Sequence, residues 1–355
     1  MSEVAEERSV QPPVVDDRAS PTWEGPLPDV TVAIATYERA GYVADLLQAL
    51  EQQTVGLEHF EVVVSDDGSN DDTWATLADA AASSPLRLRV LRLSRTGGNP
   101  ARARNQASSR GRAPIVAFTD DDCVPTAGWI GGLLAAFGTG VDVVQGMVVA
   151  KPDELAVAGP WHKTLWVTNS SPWFETANIA YRRSVFDRLD GFDEDDGVTR
   201  RPGGQAFGED VLLGGRAMEL GAQRVFAADA VVHHRCIPGS YAEYLESRRR
   251  AVGFPALAKR SSVVRRHLVA GVFLTRRNAA FDTAVACIVL AVARRRPRWL
   301  LPTLWYVGTI WREADARSNA LALSRARRLL QLSYGDAVGL AWLLRGSARH
   351  GRLVL

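Results

Sequence analysis

The sequence predicts an α/β fold, with a mostly parallel sheet that is covered by helices on both faces. Short apolar runs alternate, along residues 30–118, with stretches whose apolar residues recur at helical spacing. This alternation is typical of right-handed β-α-β units. Two of the apolar runs end abruptly in aspartates, as expected where parallel strands reach the ligand-binding edge of a sheet.

Composition and length divide the chain into three predicted parts. The chain has 355 residues, 46% of them hydrophobic, which is enough to bury a sizeable core. We expect a polar, disordered leader over residues 1–28, an α/β domain over 29–238, and a basic, apolar helical region over 239–355. The N-terminus does not have the pattern of a secretory signal, and three distant cysteines indicate no disulfide framework. These features favour the cytoplasm.

Strand and helix patterns follow one another in a regular order within the α/β domain. Leu46, Leu47 and Leu50 lie at helical spacing, and residues 86–93 alternate apolar and basic side chains, as in a strand with one wet face. The predicted strands are residues 30–35, 60–65, 86–93, 115–118, 141–149, 225–227 and 230–232. The predicted helices are residues 40–53, 73–82, 101–107, 129–137 and 211–220.

Three adjacent aspartates, Asp120, Asp121 and Asp122, follow the apolar run at residues 115–118 directly. Burying three unpaired carboxylates would be expensive. A hard divalent metal is the natural partner, because such ions prefer oxygen ligands. A solvated acidic loop is the alternative, and the triplet alone fits both interpretations.

Other polar residues stand where the sheet would present them together. Thr36 and Glu38 follow the first predicted strand, and Asp66 follows the second. Arg102 and Arg104 lie in the first turns of a helix, where they could hold a phosphate. Solvated arginines on a surface helix are the alternative.

Six ordered stretches resemble one known family. They are VTVAIATYER, VVVSDDGSNDDT, ARARNQA, IVAFTDDDCVP, ETANIAYRRSVFDRLDGFDE and FGEDVLLGGRAMELG. Together they resemble the nucleotide-sugar glycosyltransferases of family 2, which have the GT-A fold, and the resemblance covers roughly residues 30–234. It implies transfer of a sugar from a nucleotide-diphosphate donor to a hydroxyl acceptor, such as a lipid-linked or cell-envelope glycan.

The resemblance also implies the residues that bind the donor and the metal. Asp120 and Asp122 match the family's DxD pair, and both are assigned to the metal, Mn²⁺ or Mg²⁺. In the family the first carboxylate also lies near the ribose, and the second binds the ion that bridges the phosphates. Asp121 stands where the family is often not acidic, and a solvated side chain is its alternative. The residues assigned to the nucleotide sugar are Thr36, Glu38, Asp66, Arg104, Asp120, Asp121 and Asn178.

The acceptor hydroxyl needs a general base to take its proton as it attacks the anomeric carbon. Asp210 matches the family's base, and Glu209 beside it is a second catalytic candidate. Ordinary charge at a helix N-terminus is the alternative for both. Direct attack opposite the leaving group implies inversion. His233 or His234 could add a nitrogen ligand to the metal, with a structural histidine as the alternative.

The C-terminal region is strongly basic. Residues 235–355 contain 22 lysines and arginines against 6 aspartates and glutamates, although the net charge of the whole chain is only +2. The region holds three apolar runs that are shorter than the ~20 residues of a spanning helix. These runs are residues 263–274, 281–293 and 299–311. Arginines and tryptophans among them favour peripheral contact with the inner face of the cell membrane through residues 240–350. An ordinary helical subdomain is the alternative, and no nucleic-acid motif accompanies the charge.

Two other functions remain in view. A catalytically silent homologue could bind a nucleotide sugar and act as a pathway scaffold, although the intact acidic motifs argue against it. A nucleotidyltransferase would need a glycine-rich basic loop after the first strand, and residues 36–39, Thr-Tyr-Glu-Arg, are not such a loop.

Overall fold

A computed structural model of the chain describes residues 14–94, 100–194, 207–316 and 322–355. The chain divides into two units. The α/β unit contains the residues up to 152 together with 164–235, and the helical unit contains residues 153–163 together with 236–355. The boundary predicted after residue 238 lies close to this division. Residues 153–163, which we assigned to the α/β domain, belong instead to the helical unit.

A nine-stranded sheet with the order β1-β4-β3-β2-β5-β8-β7-β9-β6 organises the α/β unit. The strands are β1 Val14–Ala19, β2 Val30–Thr36, β3 Phe60–Asp66, β4 Leu88–Leu93, β5 Ile115–Phe118, β6 Cys123–Pro125, β7 Val143–Ala150, β8 Ile179–Arg182 and β9 Arg224–His234. The four central strands β4, β3, β2 and β5 are parallel, so the predicted parallel core is confirmed. β8 joins it antiparallel, and β7 and β9 are parallel to each other.

Helices connect the strands of the core in the predicted alternation. The helices up to residue 219 are α1 Ala40–Glu51, α2 Thr73–Ser83, α3 Pro100–Arg110, α4 Trp129–Ala136, α5 Pro152–Val157, α6 Arg183–Arg188 and α7 Glu209–Glu219, of which α5 lies almost entirely in the helical unit. Short 3₁₀ helices span Leu57–His59 and Thr176–Asn178. In α1 the buried side chains are Val43, Leu46, Leu47 and Leu50, the spacing of one helix face. The apolar face of α1 predicted from the sequence therefore packs in one core with the sheet.

The prediction that residues 1–28 are disordered is wrong for residues 14–28. β1 pairs antiparallel with β4 at the edge of the sheet, and Asp17 accepts hydrogen bonds from Arg89 at 2.9 and 2.8 Å. Trp23 is buried, with the guanidinium groups of Arg89 and Arg112 5.6 and 5.0 Å from its ring centroid. The acidic segment is ordered because β4 presents basic side chains that complement it. Residues 1–13 lie outside the described residues.

The helical unit is built from six further helices beside α5. They are α8 Tyr241–Arg248, α9 Phe254–Arg260, α10 Ser262–His267, α11 Arg276–Arg294, α12 Thr303–Ala316 and α13 Ala322–His350, with 3₁₀ helices at Arg249–Gly253 and Pro297–Leu300. Ser240 and Glu243 form a capping box that begins α8. A small core joins α11, α12 and α13 through Phe281, Tyr306 and Leu332.

A buried acid holds the same helices together. Asp336 of α13 accepts hydrogen bonds from Arg248 at 3.0 Å, Arg277 at 2.9 Å and the Tyr306 hydroxyl at 2.7 Å. Arg277 also pairs with Glu313. Such a buried charge is tolerated because its oxygens are fully hydrogen-bonded. Within the described residues, no helix combines the length and the apolar character needed to cross a membrane.

Candidate active site

The carboxyl ends of β2, β3 and β5 meet at one edge of the parallel core. β2 lies between the other two strands, and its last residue, Thr36, is in register with Asp66 at the end of β3. On its other side, β2 pairs with β5 up to Phe118, two residues before the aspartate triplet. The topology therefore brings Thr36, Asp66 and the triplet together, as predicted for the ligand-binding edge of such a sheet.

Asp66 offers a buried acceptor at this edge. Its side chain is completely buried, and its Oδ1 atom accepts hydrogen bonds from the backbone N–H of Ser69, at 3.0 Å, and from the Ser69 hydroxyl. Its Oδ2 atom is buried and has no hydrogen-bond partner among the described residues. The nearest cation, Arg92 Nε, is 4.0 Å away. Burial raises the pKa of Asp66, so a donor on a ligand would relieve a desolvated carboxyl.

Thr36 and Glu38 lie on either side of the turn after β2. The Thr36 hydroxyl donates to Asp121 Oδ2 at 2.8 Å. Glu38 is exposed and has a left-handed backbone with φ of 51°, held by a 2.9 Å hydrogen bond from its N–H to the Ser69 hydroxyl. A non-glycine residue in this region of φ stores backbone strain. Because the Ser69 hydroxyl contacts both the Glu38 N–H and Asp66, the Glu38 backbone lies close to Asp66.

Arg104 links two groups of carboxylates. Its Nη2 atom donates to Asp120 Oδ1 at 2.7 Å, and its Nη1 atom donates to Glu209 Oε1 at 3.2 Å. Burial lowers the pKa of Arg104, but the carboxylates of Asp120 and Glu209 outweigh this effect and raise it. The two terminal nitrogens are therefore occupied by protein oxygens. A contact of Arg104 with the nucleotide sugar stays a prediction.

The other two aspartates of the triplet have different surroundings. Burial, together with the charge of Asp122, raises the pKa of Asp121 to about 7, and Asp121 accepts the Thr36 hydroxyl. It is not a solvated surface residue. Asp122 lies 3.3 Å from Arg39 Nη1 and 3.5 Å from His234 Nε2. The three adjacent carboxylates are thus directed at three different sets of partners.

Asp122, Cys123 and His234 form a group of potential metal ligands, with their ligand atoms all within 4.8 Å of one another. The short strand β6 creates this group, because it pairs Cys123 with His234 of β9. His234 Nδ1 is 2.8 Å from the Arg235 carbonyl oxygen, which can only accept. Nδ1 therefore carries the proton in the neutral ring, and Nε2 is left to face Asp122 with its lone pair, as a metal ligand requires.

Cys123 is less suited to the metal than its neighbours. Its thiol is buried in the apolar core, and burial raises its pKa well above the usual value. A neutral thiol is not a ligand, whereas a carboxylate oxygen and an imidazole nitrogen suit Mn²⁺. The residues therefore fit a divalent ion held by Asp122 and His234. Asp120 is not part of this group, and its Oδ1 accepts hydrogen bonds from Arg104 and, at 3.3 Å, from Thr176.

Glu209 and Asp210 open α7 after Gly208, which has a left-handed backbone with φ of 84°. Glu209 is buried against Arg104, as described above. Asp210 Oδ1 instead accepts the N–H of Val211 at 2.7 Å. Burial raises the pKa of Asp210 well above its usual value, and the charge of Glu209 acts in the same direction. The two neighbouring carboxyl groups therefore have different surroundings: Glu209 is paired with Arg104, whereas burial raises the pKa of Asp210.

Comparison with known proteins identifies the family. Residues 31–192 match the family described as "Glycosyl transferase family 2". The chain is 30% identical over 213 residues to glycosyltransferase AglE of Haloferax volcanii. This match covers 60% of this chain and 68% of AglE. The chain belongs to glycosyl transferase family 2.

A second relative of this family 2 chain is validoxylamine A glucosyltransferase of Streptomyces hygroscopicus subsp. jinggangensis. The two are 31% identical over 206 residues, and the match spans 48% of this chain and about half (48%) of that protein. Among solved structures, a mannosyltransferase, PcManGT from Pyrobaculum calidifontis in complex with GDP-Man and Mn²⁺, superposes with a TM-score of 0.55 and 20% identity. The superposition covers 94% of this chain and 88% of the mannosyltransferase chain. The predicted GT-A fold is confirmed.

Asn178, which we assigned to the nucleotide sugar, has a structural role in this family 2 chain. Its buried amide accepts a hydrogen bond from Trp129 Nε1 at 2.9 Å. It donates to the carbonyl oxygens of Met147 and Ala230, both at 2.8 Å. A Cβ at Gly146 would clash with this amide. Both N–H groups of the Asn178 amide are bonded to carbonyl oxygens of strands β7 and β9. The structure therefore does not support the predicted contact of Asn178 with the nucleotide sugar.

Of the two candidate histidines, His234 lies beside Asp122 and His233 does not belong to the same group of ligand atoms. Successive side chains of a strand point to opposite faces, so the pairing that brings His234 to Asp122 directs His233 away from it. His233 is absent from the described group of potential ligands. The pairing of β6 with β9 distinguishes the two histidines, which are adjacent in the sequence.

Glu175 begins residues 175–178, a stretch that by family resemblance contacts the donor sugar and borders the acceptor site, whereas we assigned no role from the sequence to its neighbour Gln145. Glu175 Oε1 accepts the Ser171 hydroxyl at 2.8 Å, and Oε2 lies 3.3 Å from Gln145 Nε2. Burial raises the pKa of Glu175, and its charge in turn raises the pKa of Asp210. A buried polar residue in the apolar run of β7 was the available signal for Gln145.

Proposed function

We propose that the chain is an inverting, metal-dependent glycosyltransferase that moves a sugar from a nucleotide-diphosphate donor to a hydroxyl acceptor. The observation that carries the proposal is that each carboxylate of the site has different partners. Asp122 stands with a histidine nitrogen, Asp120 and Glu209 are bridged by Arg104, and Asp210 has a raised pKa at the N-terminus of α7.

Asp66 and Thr36 would bind the nucleoside. The Oδ2 atom of Asp66 is a buried acceptor with no hydrogen-bond partner among the described residues, and it suits an N–H of a base or a ribose hydroxyl. Such a hydrogen bond to a charged acceptor in a dry site gives both affinity and orientation. The complex of the similar mannosyltransferase with GDP-Man supports a nucleotide-sugar donor here.

Asp122 and His234 would hold the divalent ion. When bound, the ion offsets the negative charge that develops on the departing pyrophosphate. The similar mannosyltransferase holds Mn²⁺, and the oxygen and nitrogen donors found here suit that ion. Arg39, which donates to Asp122 at 3.3 Å, orients the same carboxylate and is the nearest fixed positive charge to it.

Asp210 would act as the general base. Its raised pKa brings the carboxyl nearer to the working pH, where it can accept the proton of the acceptor hydroxyl as that oxygen attacks. Arg104 binds Glu209 and leaves Asp210 free for this transfer. Attack by the activated acceptor itself, on the face opposite the leaving group, inverts the anomeric centre.

The decisive experiment compares Asp210→Asn with the parent chain in a transfer assay with Mn²⁺ and a panel of nucleotide sugars. The asparagine has nearly the same shape but cannot take a proton. We expect donor affinity to be kept and transfer to fall by about 10²–10⁴-fold, the usual contribution of a positioned base. Glu219→Gln, at the exposed far end of the same helix, is the matched control and should transfer normally.

Two outcomes would contradict this assignment. If Asp210→Asn lost donor affinity while bound donor still reacted normally, Asp210 would be a binding residue. If the parent chain bound donor with Mn²⁺ but neither transferred nor hydrolysed any sugar of the panel, the chain would be a nucleotide-sugar-binding scaffold instead.

A further inference from the structure

The connection between α11 and α12 exposes an unusual amount of apolar surface. The exposed fractions of Val292, Leu301 and Leu304 are 74%, 67% and 66%. We call this region, residues 288–311 with its exposed apolar side chains, the hairpin tip. Other exposed members are Ile288, Val289, Trp305 and Trp311. A contiguous stretch of this kind marks a contact surface rather than ordinary solvent exposure.

Near the hairpin tip, α11 is amphipathic in the opposite sense from a soluble helix. The buried face of α11 toward the tip consists of small residues, Ala284, Cys287 and Ala291. Its larger residues, including Ile288 and Val292, are directed to solvent. In a soluble protein the larger apolar residues would cover the core. The exposed face is therefore built to contact something other than water.

Positive charge accompanies the apolar surface. Arg294, Arg295, Arg296 and Arg298 are all exposed, and none pairs with a carboxylate within the described part of the chain. Residues 283–311 contain no aspartate or glutamate. The surface around the hairpin tip therefore combines apolar and basic groups with no acidic residue in its sequence, and it complements a partner that is both apolar and anionic.

Tryptophans add a third feature. Trp299, Trp305 and Trp311 are all exposed. Trp299 lies in the arginine-rich connection, and Trp305 and Trp311 lie on α12. The indole ring has an apolar body and a polar N–H, so it prefers the boundary between water and hydrocarbon. Arginines and tryptophans around exposed aliphatic side chains match the composition of helices that lie in a membrane interface.

We propose that the hairpin tip docks into the interfacial region of an anionic lipid bilayer. Val292, Leu301 and Leu304 would enter the boundary between headgroups and acyl chains, and the four arginines would contact lipid phosphates. The chain would lie on the bilayer rather than span it, in keeping with the lengths of the described helices.

A second copy of the chain is a poorer occupant of the same surface. A two-fold interface places the same patch on both partners. Two copies of the cluster at residues 294–298, each with four arginines, would then face one another with no acidic residue nearby. Juxtaposed like charges disfavour association, whereas an anionic leaflet attracts each arginine.

The test is co-sedimentation of the full chain with vesicles of phosphatidylcholine, with or without phosphatidylglycerol. We expect binding to the vesicles that contain phosphatidylglycerol, weakening as salt increases because the electrostatic part is screened. Arg296→Gln/Arg298→Gln should lower the affinity about 30-fold. Arg266→Gln/Arg349→Gln removes the same charge from exposed positions outside the tip and should bind like the parent chain.

The apolar contribution needs its own pair of variants. Leu301→Glu/Leu304→Glu should abolish vesicle binding, whereas Leu330→Glu, at an exposed position of α13, should bind like the parent chain. All the altered positions are exposed, so the folding of each variant can be checked by its helical circular dichroism. The proposal is overturned if the full chain ignores anionic vesicles. It is also overturned if the two charge variants lose affinity equally, or if Leu301→Glu/Leu304→Glu instead converts a dimer to a monomer by light scattering.

Discussion

At the scale of single residues, the partner of each carboxylate decides what it can do. Asp120 binds Arg104, Asp122 faces Arg39 and His234, and Asp210 accepts the backbone N–H of Val211. A guanidinium group fixes the orientation of the carboxylate that it binds. A desolvated carboxyl without such a partner has a raised pKa and can exchange a proton. Identical side chains thus acquire different chemistry.

The two histidines at the end of β9 allow a sharp test of the metal assignment. We predict that His234→Ala lowers Mn²⁺ affinity at least about tenfold, since even residues that only orient metal ligands contribute 10–100-fold. His233→Ala removes the adjacent imidazole from the opposite face of the strand and should leave the affinity unchanged. Electron paramagnetic resonance titration of Mn²⁺ in the presence of a nucleoside diphosphate measures both values.

Equal Mn²⁺ affinity in the His234→Ala variant and the parent chain would remove the histidine from the site. A loss in His233→Ala instead would mean that the register of β6 with β9 differs in the loaded protein. Neither outcome depends on transfer activity, so the test separates metal binding from catalysis.

At the scale of elements, α11 contains a partly buried carboxyl group, that of Asp282, in its second turn. Both carboxylate oxygens of Asp282 are buried and without a hydrogen-bond partner among the described residues. Burial raises the pKa of Asp282 to about 6, and the charge of Asp336 acts in the same direction. The folded chain therefore keeps a proton on Asp282 at pH values where the unfolded chain has released it.

This difference makes stability fall as pH rises. Because the pKa in the folded chain exceeds that in the unfolded chain, the contribution of Asp282 is favourable at pH 4 and is lost as pH approaches 7. We predict that Asp282→Asn is more stable than the parent chain by about 1 kcal/mol at pH 8, a value reduced for solvent screening of a half-buried group. The advantage should shrink toward pH 4.

Urea unfolding followed by circular dichroism at pH 4, 6 and 8 measures this difference. The matched control is Glu246→Gln, which changes an exposed carboxylate of α8 and should show no such trend. An advantage of Asp282→Asn that is constant across the pH range would mean that packing, and not the carboxyl proton, is responsible.

At the scale of the whole molecule, the two units carry different features. The residues proposed to bind the donor and the metal all lie in the α/β unit, and the hairpin tip lies in the helical unit. The charge of the chain is divided in a similar way, because residues 235–355 contain 22 of the 42 lysines and arginines but only 6 of the 40 aspartates and glutamates. Two different ligands should therefore act on two different parts of the chain.

Hydrogen exchange can locate the two effects separately. We predict that Mn²⁺ with a nucleoside diphosphate slows exchange at residues 36–38, 66–70 and 120–123, where ligand contacts order the strand ends. Vesicles that contain phosphatidylglycerol should instead slow exchange at residues 288–305. Mass spectrometry of peptides from the full chain measures both patterns.

The Asp122→Asn variant provides the control for this experiment. It should lose the protection by Mn²⁺ and nucleotide but keep the protection by vesicles. If the nucleotide slowed exchange only in the helical unit, the donor site would lie elsewhere and the residues assigned to it would be wrong.

Local patterns in the sequence were sufficient for the parallel core and its edge. Alternating apolar runs predicted β2 to β5 and their helices, and the polar residues that follow strands predicted where Thr36, Asp66 and the aspartate triplet would meet. These inferences succeed because strand and helix periodicity and the carboxyl-end rule depend on residues close together in the chain. The family resemblance rests on the same local stretches.

The tertiary structure alone decided which side chains share a partner. It placed His234 rather than His233 beside Asp122, because β6 pairs with β9 across more than a hundred residues of chain. It made Asn178 a buried tie between strands, and it ordered β1 against the basic face of β4. Such outcomes depend on strand register and on burial, which are set by distant parts of the chain, and a one-residue change of register would reverse every face.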